Sequence, residues 1–280
     1  MHKMITYGVL HYNPLQNEKS RNDLVECLES LTYNRDPLIS SEVYVIDQGN
    51  PAPELDFVID HSTRLGLKCI SLKENLGIAG GINFIAKLGE NSNYISLVTS
   101  DVIFPKGMDT TLIKELIDNP DIMQICPLSD KSELDYQKVE VNQDANPLLC
   151  LVQELTIQFW PRKAFDLIKG YYEPFRACYE NIDAALRLFM CGKYTAISNR
   201  IKCIHKHGGC IKSGARNHTY DGHINMPNGF NQELVAQLFH SRWSGLNNII
   251  DLYSPINPAR VDNIRKTMLE LYGNNIQSTK

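Results

Sequence analysis

Short apolar runs rich in β-branched residues alternate with stretches of helical spacing through the first 126 residues, and that order admits few folds. Ile5 to Leu10 reads as a buried strand, after which Tyr12, Asn13 and Pro14 open a polar loop to about residue 20. A helix should follow, with Ser20 as its cap and Leu24, Cys27, Leu28 and Leu31 on one face. Val43 to Ile46 forms a second strand that stops in Asp47, Gln48, Gly49, Asn50 and Pro51, so a carboxylate sits at a strand's C-terminal end. Helix-like residues from about 54 to 66, a strand at Lys68 to Leu72, a Gly-rich segment, a helix near Ala79 to Leu88 and a strand at Tyr94 to Val98 complete a βαβαβαβ order. The expected class is α/β: a Rossmann-like, mainly parallel sheet flanked by helices. Ligands of such sheets gather outside the carboxyl ends of the strands, where Tyr12 with Asn13, Asp47 to Asn50, and Thr99 to Asp101 all fall.

A helix near Met108 to Ile117 and a strand at Ile122 to Cys126 extend this core. Residues 128–149 are polar and irregular and read as a mobile loop. Beyond them come a strand at Glu154 to Trp160, a short helix from Pro161 to Ile168, a longer one from Glu180 to Met190, and strands at Tyr194 to Ile197 and Ile201 to Ile204. Two helical segments, roughly Asn231 to Leu252 and Pro258 to Tyr272, form a C-terminal helical appendage, dividing the chain into 1–213 and 214–280. A net charge of -4 gives no global basic field for nucleic acid. The eight scattered cysteines suit reduced, buried thiols and a cytoplasmic protein. No stretch of 18 uninterrupted apolar residues spans a membrane, while Trp243, Leu246, Ile249 and Ile250 suit either an oligomer contact or a peripheral contact at a membrane's inner face.

Four segments carry chemistry. Glu74-Asn75-Leu76-Gly77-Ile78-Ala79-Gly80-Gly81-Ile82-Asn83 places glycines where a backbone turns sharply or approaches a ligand, bracketed by the amides of Asn75 and Asn83; the same glycines also suit a plain strand-to-helix turn. Thr99-Ser100-Asp101 ends a strand with an acid fit for magnesium or manganese, or with a simple turn cap. Glu180, Asp183 and Arg187 share a helix face, and Asp183 can pair with Arg187. Cys203, His205, His207 and Cys210 crowd metal-ligand types together, but without a Cys-x-x-Cys pair structural zinc is the weaker reading, and a histidine serving the same cation as Asp101 the better one.

In this order, Val45-Ile46-Asp47, the segment from Glu74 to Asn83, Thr99-Ser100-Asp101-Val102, Glu180-Asn181-Ile182-Asp183 with Arg187 and Gly192, and His205 to Gly209 resemble glycosyltransferase family 2, in its rhamnosyltransferase-like branch. The resemblance covers about residues 4 to 213. It implies a GT-A fold and inverting transfer of a hexose or deoxyhexose from a UDP- or dTDP-linked donor to a glycan or lipid-linked acceptor, assisted by Mn2+ or Mg2+. It implies that Asp47 contacts the donor's base or ribose, and that Asn75 with Gly77, Gly80 and Gly81 forms part of the donor pocket. Tyr12, Asn13, Asn83 and Ser100 complete the expected donor set. Asp101 resembles the last acid of the family's metal triplet, whose first acid is here Thr99, so the cation would lean on Asp101 with His205 or His207. The family's acid pair reads Glu180-Asn181, and an amide cannot accept a proton, which leaves Glu180 or Asp183 as base, with Glu180 favoured because Arg187 competes for Asp183. A nucleotide-sugar-binding or scaffolding protein of the same fold is the alternative. A nucleotidyltransferase, the third, would carry its Gly-rich loop after the first strand, where Tyr12-Asn13-Pro14 stands.

Overall fold

The computed structural model describes residues 4–132, 134–153, 156–176, 178–206, 217–218, 224–226 and 230–276. In chain order, β1 (Met4–His11), α1 (Glu18–Asn34), β2 (Ser40–Asp47), α2 (Ala52–Arg64), β3 (Lys68–Ser71), α3 (Gly77–Leu88) and β4 (Tyr94–Thr99) reproduce the expected alternation. Then come β5 (Val102–Ile103), α4 (Met108–Asp118), β6 (Ile122–Ser129), β7 (Leu148–Leu149), β8 (Ile157–Pro161), α5 (Arg162–Ile168), α6 (Glu180–Met190) and β9 (Tyr194–His205). A small antiparallel sheet of β10 (Asn217–His218), β11 (Ile224–Met226) and β12 (Phe230–Asn231) precedes α7 (Gln232–Arg242) and α8 (Val261–Tyr272).

The main sheet runs β3-β2-β1-β4-β8-β6-β9-β5, with β7 beside β9. β1 pairs in parallel with β2 and β4, and β2 with β3. β8 is antiparallel to both β4 and β6, so β6 and its parallel neighbour β9 run in the same sense as β1 to β4. Six strands thus share one direction, and the sheet is mainly parallel.

Strand alternation decides which layer each side chain joins. Ile5, Tyr7, Val9, Val43 and Val45 pack with Leu24, Leu28 and Leu31 of α1 and Leu112 of α4. Leu10, Ile46, Ile95 and Leu97 pack on the opposite face with Ile82 and Ile85 of α3 and Phe165 of α5. A third cluster joins Leu186 and Phe189 of α6 to Phe239, Trp243, Met268 and Tyr272 of the C-terminal segment. Every residue of α6 is buried, because this helix lies between the sheet layer and the C-terminal helices.

Several local expectations change. Asn17, not Ser20, caps α1: its side chain accepts from the Ser20 amide, which lies inside the first turn. The stretch foreseen as one helix from 231 to 252 stops at Arg242, and left-handed Gly245 (φ 79°) turns it into a 3-10 segment at Leu246–Asn248. Residues expected to form a mobile loop are anchored, with the Tyr136 hydroxyl donating to the Val152 carbonyl at 2.5 Å and Ser132 and Gln137 buried. The two short strands after α6 are one, β9, with a register break opposite Pro127 and Leu128. The described cysteines are all free thiols. Among the described residues, no helix is long and apolar enough to cross a membrane.

Candidate functional site

Parallel register brings the ends of β1, β2 and β3 level, pairing His11 with Asp47 and Asp47 with Ser71. Asp47 is fully buried, and both its oxygens are engaged: Asn50 Nδ2 donates to Oδ1 at 2.6 Å, and Ser71 Oγ to Oδ2 at 3.0 Å. Asn50 also donates to the His11 carbonyl at 3.2 Å and accepts from the Asn13 amide at 2.6 Å. One side-chain amide therefore ties together the ends of two strands and the loop that follows the first.

Asn13 does not offer its side chain to a donor. It is buried, donating to Glu54 Oε1 at 2.9 Å and the Asn17 carbonyl at 3.1 Å while accepting from the Asn17 amide at 2.9 Å. Glu54 also meets His11 Nε2 and Arg21 Nε, each at 2.8 Å. Burial pushes its carboxyl upward, but the hydrogen bonds from His11, Arg21 and Asn13 outweigh burial and hold it below the usual range. Neighbouring Tyr12 is half-buried, and burial raises its phenol. Neither Asn50 nor Glu54 was singled out from sequence, since nothing local marks a loop amide or a helix glutamate as a hub.

The Gly-rich segment differs from expectation. From Gly77 onward it is the start of α3, and three of its amides are already bonded: Leu76 N–H to Gln48 Oε1 at 3.2 Å, Gly77 N–H to Asn75 Oδ1 at 2.8 Å, and Ala79 N–H to the Arg176 carbonyl at 2.7 Å. A Cβ at Gly81 would stand 2.5 Å from Leu10 Cδ1, one at Gly80 2.8 Å from Leu76 Cβ, and one at Gly77 (φ 71°) 3.0 Å from the Arg176 backbone. Close packing against Leu10 of β1, the Arg176 backbone and the Leu76 side chain thus accounts for these glycines. Asn83 is a clamp, accepting from the Tyr171 amide at 2.8 Å and donating to the Tyr171 carbonyl and Glu173 Oε1, each at 3.0 Å.

Across the sheet end, the antiparallel pairing of β5 with β9 sets His205 opposite Val102 and leaves His205 Nε2 3.4 Å from Asp101 Oδ2. The side chains are 13% and 11% exposed, so the pair sits at the rim of the fold. The His205 amide donates to Asp130 Oδ1 at 2.7 Å and the Lys206 amide to the Asp101 carbonyl at 2.9 Å, fixing the approach of the two strands. Burial pushes the Asp101 carboxyl upward, and the hydrogen bond and charge of His205 more than reverse it, so it lies below the ordinary range. Thr99, where the family triplet begins with an acid, turns its amide and hydroxyl to the Thr156 carbonyl at 3.0 and 3.1 Å, and Ser100 is half-buried in the turn between. His207 lies outside the described residues.

Among the described residues no three acidic, histidine or cysteine side chains gather around one point. Asp101 and His205 still fit a divalent cation. Their 3.4 Å separation is close to the roughly 3 Å edge of an octahedron with ~2.1 Å bonds, and an oxygen with an imidazole suits manganese. Two protein ligands leave most positions to oxygens from elsewhere.

At α6 both carboxylates point inward. Asp183, expected as a base, is instead a buried counter-ion: Arg187 Nε lies 2.8 Å from Oδ2, and Arg242 Nε and Trp243 Nε1 lie 2.8 and 3.0 Å from Oδ1. Two guanidinium groups hold its electrons, and no surface of it is exposed. Glu180 is equally buried and lies close enough to Tyr171 that its charge adds to burial in raising that phenol. Asn181 donates to the Gln153 carbonyl at 3.1 Å and accepts from the Ile182 amide at 3.0 Å. Sequence spacing found the Asp183–Arg187 pair but not Arg242 and Trp243, which come from about 60 residues further along.

A family model described as Glycosyl transferase family 2 matches residues 14–178. No curated protein matches the sequence. Among solved structures, GalNAc-T7 with UDP, GalNAc and Mn2+ is similar with a TM-score of 0.60 at 11% identity, over 72% of this chain and 44% of that one. The mannosyltransferase PcManGT from Pyrobaculum calidifontis, in complex with GDP-Man and Mn2+, gives 0.55 at 14% identity over 98% and 82% of the two chains. S. aureus TarS 1-349 with UDP-GlcNAc gives 0.58 at 16% identity over 97% and 74%. These likenesses give the fold, that of GT-A glycosyltransferases. The chain spans less than half the length of the GalNAc-T7 structure and of the longer TarS structure.

Proposed function

The chain belongs to glycosyl transferase family 2, and on that premise we propose that it moves a hexose or deoxyhexose from a UDP- or dTDP-linked donor to a glycan or lipid-linked acceptor, with inversion at the anomeric carbon. The observation that carries the reading is the Asp101–His205 pair, exposed at its rim and lying at the sheet end where Asp47 also sits. Similar folds hold UDP with Mn2+, GDP-Man with Mn2+ and UDP-GlcNAc, which supports a nucleotide sugar as donor here. Asp101 and His205 would hold Mn2+ or Mg2+, which when bound supplies charge stabilisation to the leaving diphosphate.

Asp47, fixed by Asn50 and Ser71, shapes the floor of the donor crevice, while Tyr12 and Ser100 border it. An acceptor hydroxyl attacks the anomeric carbon, the bond from that carbon to the diphosphate oxygen breaks, and the nucleoside diphosphate departs. The hydroxyl proton passes to Glu180, since Asp183 is neutralised by two guanidinium groups. Because Glu180 is buried, the preceding turn, with left-handed Tyr179 (φ 65°), has to shift when the acceptor binds. The free thiols fit a cytoplasmic enzyme.

The test is nucleoside diphosphate release from a panel of UDP-, dTDP- and GDP-sugars with MnCl2, for the wild type, Asp101→Ala and Glu180→Gln. Activity that persists in Asp101→Ala overturns the metal assignment, and activity that persists in Glu180→Gln overturns the base. One observation favours a second reading: Asn181 is an amide and Glu180 is inaccessible, as in a protein that binds a nucleotide sugar without turning it over. Calorimetric binding with no release over a broad acceptor panel would establish that alternative.

A further inference from the structure

Three tyrosines from distant parts of the chain meet at the start of α6. The Val152 carbonyl takes the Tyr136 hydroxyl at 2.5 Å and the next carbonyl, that of Gln153, takes Asn181 Nδ2 at 3.1 Å, so Tyr136 stands beside the first turn of that helix. Tyr179 immediately precedes α6 and stacks on Phe239 of α7, with ring centroids 4.6 Å apart and planes 19° from parallel. Tyr253 belongs to the segment after α7, whose Leu252 and Ile256 pack in one cluster with Val152, Leu134 and Tyr179, and whose Ile256 amide donates to the Leu149 carbonyl at 2.9 Å. Burial raises the phenols of Tyr136 and Tyr179, and Tyr253 adds to the rise in each, so it lies within electrostatic reach of both.

These rings are not absorbed by the core. Tyr136 and Tyr179 are half-buried, and Tyr253 keeps 58% of its surface exposed although Leu252 beside it is buried. Phe239 covers one face of Tyr179, so the exposed surface of that ring lies on its other face and edges. Asp251 adjoins them as an ionised acceptor: hydrogen bonds from the Ser254 hydroxyl at 2.5 Å and the Tyr253 amide at 3.0 Å hold its carboxyl below the usual range, and each oxygen keeps a lone pair for another donor. Aromatic faces with a carboxylate at their edge match a pyranose ring, which turns C–H groups to one side and hydroxyls to its rim. An alkyl chain would gain nothing from the carboxylate, and a phosphate would be repelled by it. We propose that Tyr136, Tyr179 and Tyr253 form the platform on which a sugar ring of the acceptor rests, with Asp251 accepting from its hydroxyls, so that the acceptor is a glycan. The proposal rests on the glycosyltransferase reading above. Tyr179 directly precedes Glu180, so a ring seated on the platform bears on the turn that has to shift for the base to be reached.

Saturation-transfer NMR with cellobiose, lactose, mannobiose and diacetylchitobiose, and with glycerol and dodecyl phosphate as ring-free controls, tests this on wild type, Tyr253→Ala, Tyr253→Phe and Asp251→Asn. The wild type should bind at least one of the disaccharides and neither control. Tyr253→Ala should weaken that binding, and raise the acceptor KM for nucleoside diphosphate release, roughly 3- to 10-fold, with Tyr253→Phe within about twofold of wild type and Asp251→Asn between the two. Calorimetric affinity for UDP, dTDP or GDP in MnCl2 and the thermal midpoint should not change in these variants, because both side chains are exposed. Wild-type disaccharide affinity in both Tyr253→Ala and Asp251→Asn overturns the proposal and leaves the donor reading intact. So does a wild type that binds a nucleotide but none of the disaccharides, whether or not it takes dodecyl phosphate. A wild type that binds none of the three nucleotides overturns the transferase reading, and the acceptor role of the platform with it.

Discussion

Asp101 and Asp183 are both aspartates beside a basic side chain, yet they sit in opposite surroundings. Asp101 keeps 11% of its side chain exposed and meets one imidazole at 3.4 Å, whereas Asp183 has no exposed surface and is closed in by Arg187, Arg242 and Trp243 at 2.8 to 3.0 Å. A carboxylate at a rim, met by an imidazole, the Thr99 side chain and its own backbone amide rather than by guanidinium groups, can exchange a partner for a cation or a ligand. One saturated by three donors in a core holds helices together. The second arrangement attaches the C-terminal helices to α6, and the first is the one on which the proposed metal role rests.

The contrast is sharpest in what removal does. Asp183→Ala strands two buried guanidinium groups and should lower unfolding free energy by about 3–5 kcal/mol in urea titration, a loss below 1 kcal/mol being incompatible with a structural hub. Asp101→Ala should leave stability within about 1 kcal/mol while cutting manganese-dependent turnover by about 100-fold, near 2.7 kcal/mol of transition-state stabilisation. A variant that unfolds instead would move Asp101 to the structural side. Gly81→Ala probes the segment that sequence placed with the donor. With Leu10 Cδ1 2.5 Å from the added Cβ, it should cost about 1–3 kcal/mol of stability, and an unchanged midpoint with lost donor binding would return the glycine to the site.

The smallest effect is on pH dependence. Because His205 holds the Asp101 carboxyl below its ordinary value despite burial, the pair's contribution is complete above the unfolded pKa of about 3.9 and is lost as pH falls through the folded value. The stability gap between wild type and Asp101→Asn should therefore close on acidification below pH 4. A gap that stays constant from pH 6 to 3 would mean that His205 is no partner of this carboxylate.

Period and turn chemistry made the first half of the sheet legible, because each strand there buries alternate residues and ends in polar turns. Asp101 and His205 were legible for the same reason, as a strand-end acid and a residue near the end of a β-run. The glycines were visible but their cause was not, since only the packed helix shows Leu10 and the Arg176 backbone against them. Arg176 itself gives no sign in the sequence, where a left-handed turn is usually announced by glycine or asparagine. The role of Asp183 was misjudged because its deciding partners come from distant sequence, and helical spacing reports only neighbours one or two turns away.

That distance also matters while the chain is being made. Arg242 and Trp243 follow Asp183 by 59 and 60 residues, so at roughly 5–20 residues per second a growing chain holds α6 for about 3–12 s before its counterpart exists. Throughout that interval Leu186 and Phe189 face no Phe239 or Trp243, and the nascent protein exposes the apolar side of its most hydrophobically enclosed helix. Met268 and Tyr272, which join the same cluster, come later still, so the cover of α6 is completed only when the last helix has been made.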